Sequence, residues 1–149
     1  MKSVLGSFVL AVAVVAAAPA ATPSEALKAI VASYLEMQAE LAADKFDNLP
    51  TAAQGITLQA AQMGPAGDAI GKAVTAVAAA TDLKTARDAF AALSDAVIAA
   101  ARAEGWAQLP DVKVAYCPMV KRSWLQTGDK IKNPYYGSKM PECGEFKTR

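Results

Sequence analysis

Apolar residues recur at intervals of three and four through residues 21–104, which is the spacing of amphipathic α-helices. The first helix has the clearest signals. Thr22 and Glu25 have the spacing of a capping box, and Pro23 stands at the first helical position, where its missing N–H costs nothing. One apolar stripe follows, and its members are Leu27, Ile30, Val31, Tyr34, Leu35, Gln38 and Leu41.

Three more helices follow at short intervals. The second is predicted over about 49–63 and ends before Pro65, whereas the third begins near Asp68. The fourth begins at Asp82 and ends at Gly105, a residue typical of helix C-termini. Four amphipathic helices with short connections predict an all-α fold, namely an up-and-down four-helix bundle over residues 21–105.

The composition changes near residue 105. Residues 106–149 are rich in Pro, Gly, Tyr, Trp and Lys and have little periodicity. Residues 112–116 alternate in character and are interpreted as a short strand or an extended segment. The remainder is predicted to form an irregular but ordered C-terminal cap, which packs on the bundle as part of a single domain.

The N-terminus has the pattern of a signal peptide. Lys2 precedes a nearly continuous apolar stretch over 4–18, and small residues stand at the two recognition positions, Ala18 and Ala20. Residues 1–20 are therefore predicted to be a cleaved signal peptide, with an uncleaved anchor helix as the alternative. Export, to the periplasm of a bacterium, is the expected location, without membrane attachment after cleavage.

Charge and composition exclude several classes of function. Lys2 is the only charged residue in the predicted signal peptide, so the mature chain is formally neutral, which argues against a dedicated nucleic-acid binder. Its charge is divided unevenly, since residues 21–112 carry a net −5 and residues 113–149 a net +5. The chain has no histidine, which removes the usual catalytic triads and the commonest zinc ligand. No enzymatic activity is predicted.

Four sulfur-containing residues in the cap are the candidate metal ligands. Cys117 and Met119 are separated by one residue, and Met140 and Cys143 by two. Thiolate and thioether sulfurs favour Cu(I) and similar soft ions such as Ag(I). Turn residues between the two pairs, at Asn133-Pro134, can bring them together. The sequence therefore predicts a Cu(I) or Ag(I) site formed by these four sulfurs.

Two other interpretations of the cysteines stay open. A disulfide between Cys117 and Cys143 would close a loop of 25 intervening residues and stabilise the fold by roughly 3 kcal/mol. Met119 and Met140 would then fill gaps, and the protein would be a structural or protein-binding module of the cell envelope with an envelope protein as partner. A thiol redox protein is the third interpretation, although the chain has no Cys-x-x-Cys motif. The sequence specifies no oligomeric state.

Several short motifs of the cap and of the fourth helix form one combined pattern. They are Tyr116-Cys117-Pro118-Met119, Trp124-Leu125, Ile131, Asn133-Pro134-Tyr135-Tyr136-Gly137, Met140, Cys143-Gly144 and, in the fourth helix, Arg87, Phe90, Leu93 and Ser94. This pattern resembles a bacterial exported domain of unknown function, which occurs alone and appended to periplasmic adaptor subunits of copper/silver efflux pumps. The resemblance implies copper or silver handling near Cys117. Tyr116 stands where such segments often carry a histidine, which leaves fewer ligands.

Overall fold

The computed structural model describes residues 22–149, and the predicted signal peptide lies outside them. Four helices come first and three strands follow. The helices are α1 (Pro23–Ala42), α2 (Leu49–Gln62), α3 (Asp68–Ala78) and α4 (Leu83–Glu104). The strands are β1 (Lys113–Cys117), β2 (Arg122–Gln126) and β3 (Glu145–Lys147), and single 3₁₀ turns occur at Gly64–Gly67 and Gly137–Lys139.

The predicted starts of α1 and α4 are confirmed by capping hydrogen bonds, whereas α3 begins at Asp68 without a side-chain cap. The Thr22 hydroxyl accepts from the N–H of Glu25 at 3.3 Å, and the Glu25 carboxylate accepts from the N–H of Thr22 at 2.9 Å. At α4, the Asp82 carboxylate accepts from the N–H of Thr85 at 2.8 Å. Each bond satisfies a backbone donor that the first helical turn leaves without a partner.

The helices pack as a bundle around an aromatic pair. Consecutive helices contact one another, and α1 also packs on α4. Between these two helices the rings of Tyr34 and Phe90 stack, with centroids 4.8 Å apart. Several residues of the surrounding core are alanines, which bury little area each, so the larger buried side chains provide most of the apolar contact.

The all-α prediction is wrong, because the C-terminal segment contains a three-stranded antiparallel sheet and the fold is mixed α/β. The strands lie in the order β2-β1-β3, and Ala115 in the central strand pairs with Trp124 on one side and Phe146 on the other. The bundle prediction agrees with the helices, but the cap is not irregular.

The second strand escaped prediction because its buried residues are consecutive. Trp124, Leu125 and Gln126 are all buried, so the strand has no alternation of apolar and polar positions. Gln126 is tolerated there because its side chain accepts from the Trp124 indole at 3.0 Å and donates to the Lys130 carbonyl at 2.7 Å. The turn before β2 gave no signal either, since the residue with positive φ is Lys121 rather than glycine.

A buried hydroxyl network joins the sheet to the bundle. The Tyr34 hydroxyl lies 2.7 Å from that of Ser94 and accepts from the N–H of Leu125 at 3.1 Å. The Tyr135 hydroxyl donates to the carbonyl of Ser123 at 2.7 Å. Burial raises the pKa of both tyrosines, so these phenols act as neutral hydrogen-bonding groups.

The Arg87 clamp, defined as Arg87 with its acceptors, fixes the C-terminal segment to the end of α1. The guanidinium donates to the carbonyls of Pro134 and Leu41, each at 2.7 Å, and to the Asp44 carboxylate at 2.5 Å. Gly137 has φ +53° and packs so closely that a Cβ atom there would collide with both Asp44 and Arg87. Any other residue here would adopt a strained backbone conformation and would displace the side chains of the clamp.

The clamp predicts a loss of stability in acid. Hydrogen bonds from Ser138 and then from Arg87 lower the pKa of Asp44 to about 2. Because the folded-state pKa is below the unfolded one, this stabilisation is present above about pH 4 and is lost as the pH falls towards about 2. Asp44→Asn is therefore expected to unfold more easily at pH 7 and to show a shallower decline of stability between those pH values.

Urea unfolding at a series of pH values measures this effect. The matched control is Asp47→Asn, which changes an exposed carboxylate three residues away. If the stability of Asp44→Asn depended on pH in the same way as that of the wild type, the proposed role of the clamp would be contradicted.

Within residues 22–149, no helix combines the length and the apolar character that a membrane crossing needs.

Candidate thiol and metal centre

The pairing of two strands brings the cysteines together. Cys117 is the last residue of β1 and Cys143 lies two residues before β3, and these strands pair with Tyr116 opposite Glu145. Extending that register by one residue sets Cys117 opposite Gly144. The two sulfur atoms are 3.0 Å apart, within hydrogen-bonding distance, and both cysteines are free thiols.

Gly144 lets the returning chain lie close to the core at this point. Its φ is +152°, and a Cβ atom there would come within 2.8 Å of the Trp124 ring and 3.1 Å of the Tyr116 carbonyl. A side chain at this position would push the segment outward and carry Cys143 away from Cys117.

The pKa values of the two thiols shift in opposite directions. Burial raises the pKa of Cys117, but hydrogen bonds from Cys143 and from backbone N–H groups outweigh this effect and lower it. The backbone donors belong to Val120 and Met119, in the turn after β1. For Cys143, donation of its S–H to Cys117 raises the pKa, and burial adds to the effect. Of the two thiols, Cys117 therefore has the lower pKa.

Asn133 holds the segment that carries Cys143. It is fully buried, and its side chain donates to the Cys143 carbonyl at 2.6 Å and accepts from the N–H groups of Tyr135 at 2.8 Å and Tyr136 at 3.1 Å. Its own N–H donates to the Pro141 carbonyl at 2.9 Å. Sequence reasoning identified Asn133 only as a turn residue and missed this central position, although Asn before Pro is a known signal for side-chain-to-backbone bonding.

The predicted methionine ligands lie beside the sulfur pair on the chain. Met119 is 62% exposed in the turn between β1 and β2. Met140 is half-buried, and its carbonyl accepts from the N–H of Cys143 at 3.2 Å. The structure thus joins Cys117 to Cys143, whereas the two methionines are not part of that contact.

The donor chemistry of the centre is soft. In the part of the chain that the structure describes, no three or more His, Cys, Asp or Glu side chains are grouped so that they could hold a metal ion. The donors that the cysteine pair offers are sulfur atoms, and a methionine lies two or three residues from each cysteine along the chain. Sulfur ligands suit Cu(I) and Ag(I), so the residues present fit the class of ion that the sequence predicted.

Comparison with known proteins adds no relative. No family model matches the sequence, and no match was found among curated proteins or among solved structures. The resemblance to the exported copper-associated domain therefore stays a prediction.

Proposed function

We propose that the protein binds a soft monovalent cation, Cu(I) or Ag(I), through Cys117 and Cys143. The observation that carries this proposal is the pair of free thiols with sulfur atoms 3.0 Å apart. Two cysteines 26 positions apart in sequence provide a soft two-sulfur donor set without any large rearrangement of the backbone.

The hydrogen bonds around Cys117 support ligand formation. A thiol must lose its proton before it binds a metal ion, so metal binding is linked to proton release. Hydrogen bonds from the N–H groups of Val120 and Met119 help to lower the pKa of Cys117, so they favour the replacement of its proton by a metal ion.

Of the two cysteines, Cys143 is the one that a cation can reach from solvent. Cys117 is fully buried, whereas Cys143 is half-buried and the neighbouring Met119 is largely exposed. A cation therefore reaches the pair from the Cys143 side. The proposal also gives a ligand role to Met119, whose exposed thioether lies two residues after Cys117 in the sequence.

Native mass spectrometry of residues 21–149 with one equivalent of Cu(I), before and after reduction, tests the proposal. A tight one-to-one adduct is expected with the reduced protein, and replacing both cysteines by serine is expected to weaken Cu(I) affinity by more than about 100-fold. The matched control is Met63→Leu, which changes a buried methionine of the helical bundle. Unchanged Cu(I) affinity in the double serine variant would overturn the proposal.

A structural disulfide is the second candidate function, and the character of β3 favours it. All three residues of β3 are exposed, and the strand follows Cys143 almost directly. A bond between the cysteines, which requires the sulfurs to approach by about 1 Å, would fasten this strand to β1.

The disulfide candidate predicts a difference in thermal stability between the oxidised and the reduced protein. In the chain-entropy account the oxidised form is more stable by about 3 kcal/mol, which raises the Tm by about 10 °C in a domain of this size. Scanning calorimetry with and without reductant measures the difference. Equal Tm values would reject the disulfide as a stabilising element and leave metal binding untouched.

A further inference from the structure

The two thiols differ sharply in access. Cys117 is 0% exposed at the end of the central strand, whereas Cys143 is half-buried on the segment that leads into β3. Both backbone polar groups of Cys143 are fixed, its carbonyl by Asn133 and its N–H by Met140. The accessible sulfur is thus held against the inaccessible one.

We infer that this pair also carries out thiol–disulfide exchange with small disulfides, with Cys143 as the sulfur that enters the exchange and Cys117 as the sulfur that completes it. This activity uses the sulfur atoms of the proposed metal site, but it requires no metal. Its basis is the difference in exposure between two sulfurs that are only 3.0 Å apart.

The first step forms a mixed disulfide. Cys143 loses its proton to solvent, and its sulfur attacks one sulfur of the small disulfide. The sulfur–sulfur bond of the reagent breaks, and one small thiolate leaves with the electron pair and is protonated by solvent. Cys143 is then joined to the other half of the reagent.

The second step is internal. The Cys117 sulfur attacks the sulfur of Cys143, which is already within contact distance, and the Cys117 proton passes to the small thiolate that leaves. The mixed disulfide bond breaks as this second small thiolate leaves. Overall, two protein thiols are oxidised to one disulfide, and one small disulfide is reduced to two thiols. Because the attacking sulfur is preplaced, the mixed disulfide of the wild-type protein is short-lived.

Cys117 cannot be the sulfur that attacks first, because the small disulfide cannot reach it. A disulfide of the size of oxidised glutathione has to approach the attacking sulfur in line with its own sulfur–sulfur bond. Cys117 presents no surface to solvent, so the reagent meets Cys143 first.

Metal-free protein treated with oxidised glutathione and followed by intact-mass spectrometry tests the order. Cys117→Ser is expected to accumulate one glutathione on Cys143, whereas Cys143→Ser is expected to react at least about tenfold more slowly. The wild type is expected to pass to the internal disulfide without a lasting adduct. Equal rates for the two single variants, or a stable adduct on the wild type, would overturn the inference.

A second measurement on the reduced wild type guards against variants that fail to fold. A short pulse of iodoacetamide followed by peptide mapping is expected to label Cys143 at least about tenfold faster than Cys117. Preferential labelling of Cys117 would overturn the inference. Since every step here excludes metal, a protein that binds Cu(I) but fails to exchange rejects this inference alone, and one that exchanges without binding Cu(I) rejects only the proposed function.

Discussion

Trp124→Ala is expected to lower the free energy of unfolding by about 3–5 kcal/mol. Trp124 is the largest fully buried side chain in residues 22–149, and its ring packs edge to face on that of Tyr135 with centroids 5.9 Å apart. Its indole N–H donates to Gln126 at 3.0 Å. The truncation would therefore open a cavity between the sheet and the bundle and deprive a buried amide of a hydrogen-bond partner.

Trp106→Ala is the matched control, since these are the two tryptophans of the chain. Trp106 is half-buried, and Arg149 lies over its ring at 5.5 Å, an interaction of surface residues that contributes about 1 kcal/mol or less. Urea unfolding followed by far-ultraviolet circular dichroism compares both variants without relying on tryptophan fluorescence. Equal losses in the two variants would show that Trp124 does not join the sheet to the bundle as described.

Asn133→Ala is expected to cost about 2–4 kcal/mol and to release Cys143 from its position. Removing the amide leaves the N–H groups of Tyr135 and Tyr136 and the carbonyl of Cys143 without their hydrogen-bond partner. Each buried polar group that loses its partner costs about 1–3 kcal/mol before the structure relaxes. The freed segment is expected to expose its thiol, so alkylation of Cys143 should accelerate in the folded variant.

Asn48→Ala is the control that shows how much stability is lost when an exposed asparagine is replaced. Asn48 lies exposed directly before α2, and its side-chain amide donates to the carboxylate of Glu40 in α1. Its removal is expected to cost no more than about 1 kcal/mol and to leave the alkylation of Cys143 unchanged. A loss in Asn133→Ala no larger than in Asn48→Ala would contradict the central position of the Asn133 amide.

The helices were predictable because their signals are local. Thr22 with Glu25, and Asp82 before the fourth apolar stripe, each mark a helix start within four residues of chain. The helical period then identifies the buried face, so tertiary structure adds little to the prediction.

The sheet was not predictable because its signals are distant. β1 pairs with β3, about 30 residues further along the chain, and β3 has three exposed residues and no pattern of its own. The interpretation of residues 112–116 as a strand or extended segment agrees with β1, but one such segment specifies no partner. Local pattern therefore favoured an irregular cap where pairing produces a sheet.

The candidate site was predictable in its chemistry and only partly in its geometry. Sulfur spacing identified Cys117 and Cys143, and their contact was expected for either a disulfide or a metal site. The Arg87 clamp and the Asn133 amide depend on carbonyls ten or more positions away, which no spacing rule reaches. Binding of Cu(I) or Ag(I), the ligand role of Met119 and Met140, and export to the periplasm stay predictions.

The hydrogen bond between Tyr34 and Leu125 links residues 91 positions apart, with a consequence for the order of events during synthesis. A ribosome releases the four helices first, yet the Tyr34 hydroxyl at their centre receives its backbone donor only after β2 has emerged. The nascent bundle must therefore wait, incompletely packed, for the last quarter of the chain. The core of the bundle is complete only when β2 packs against it.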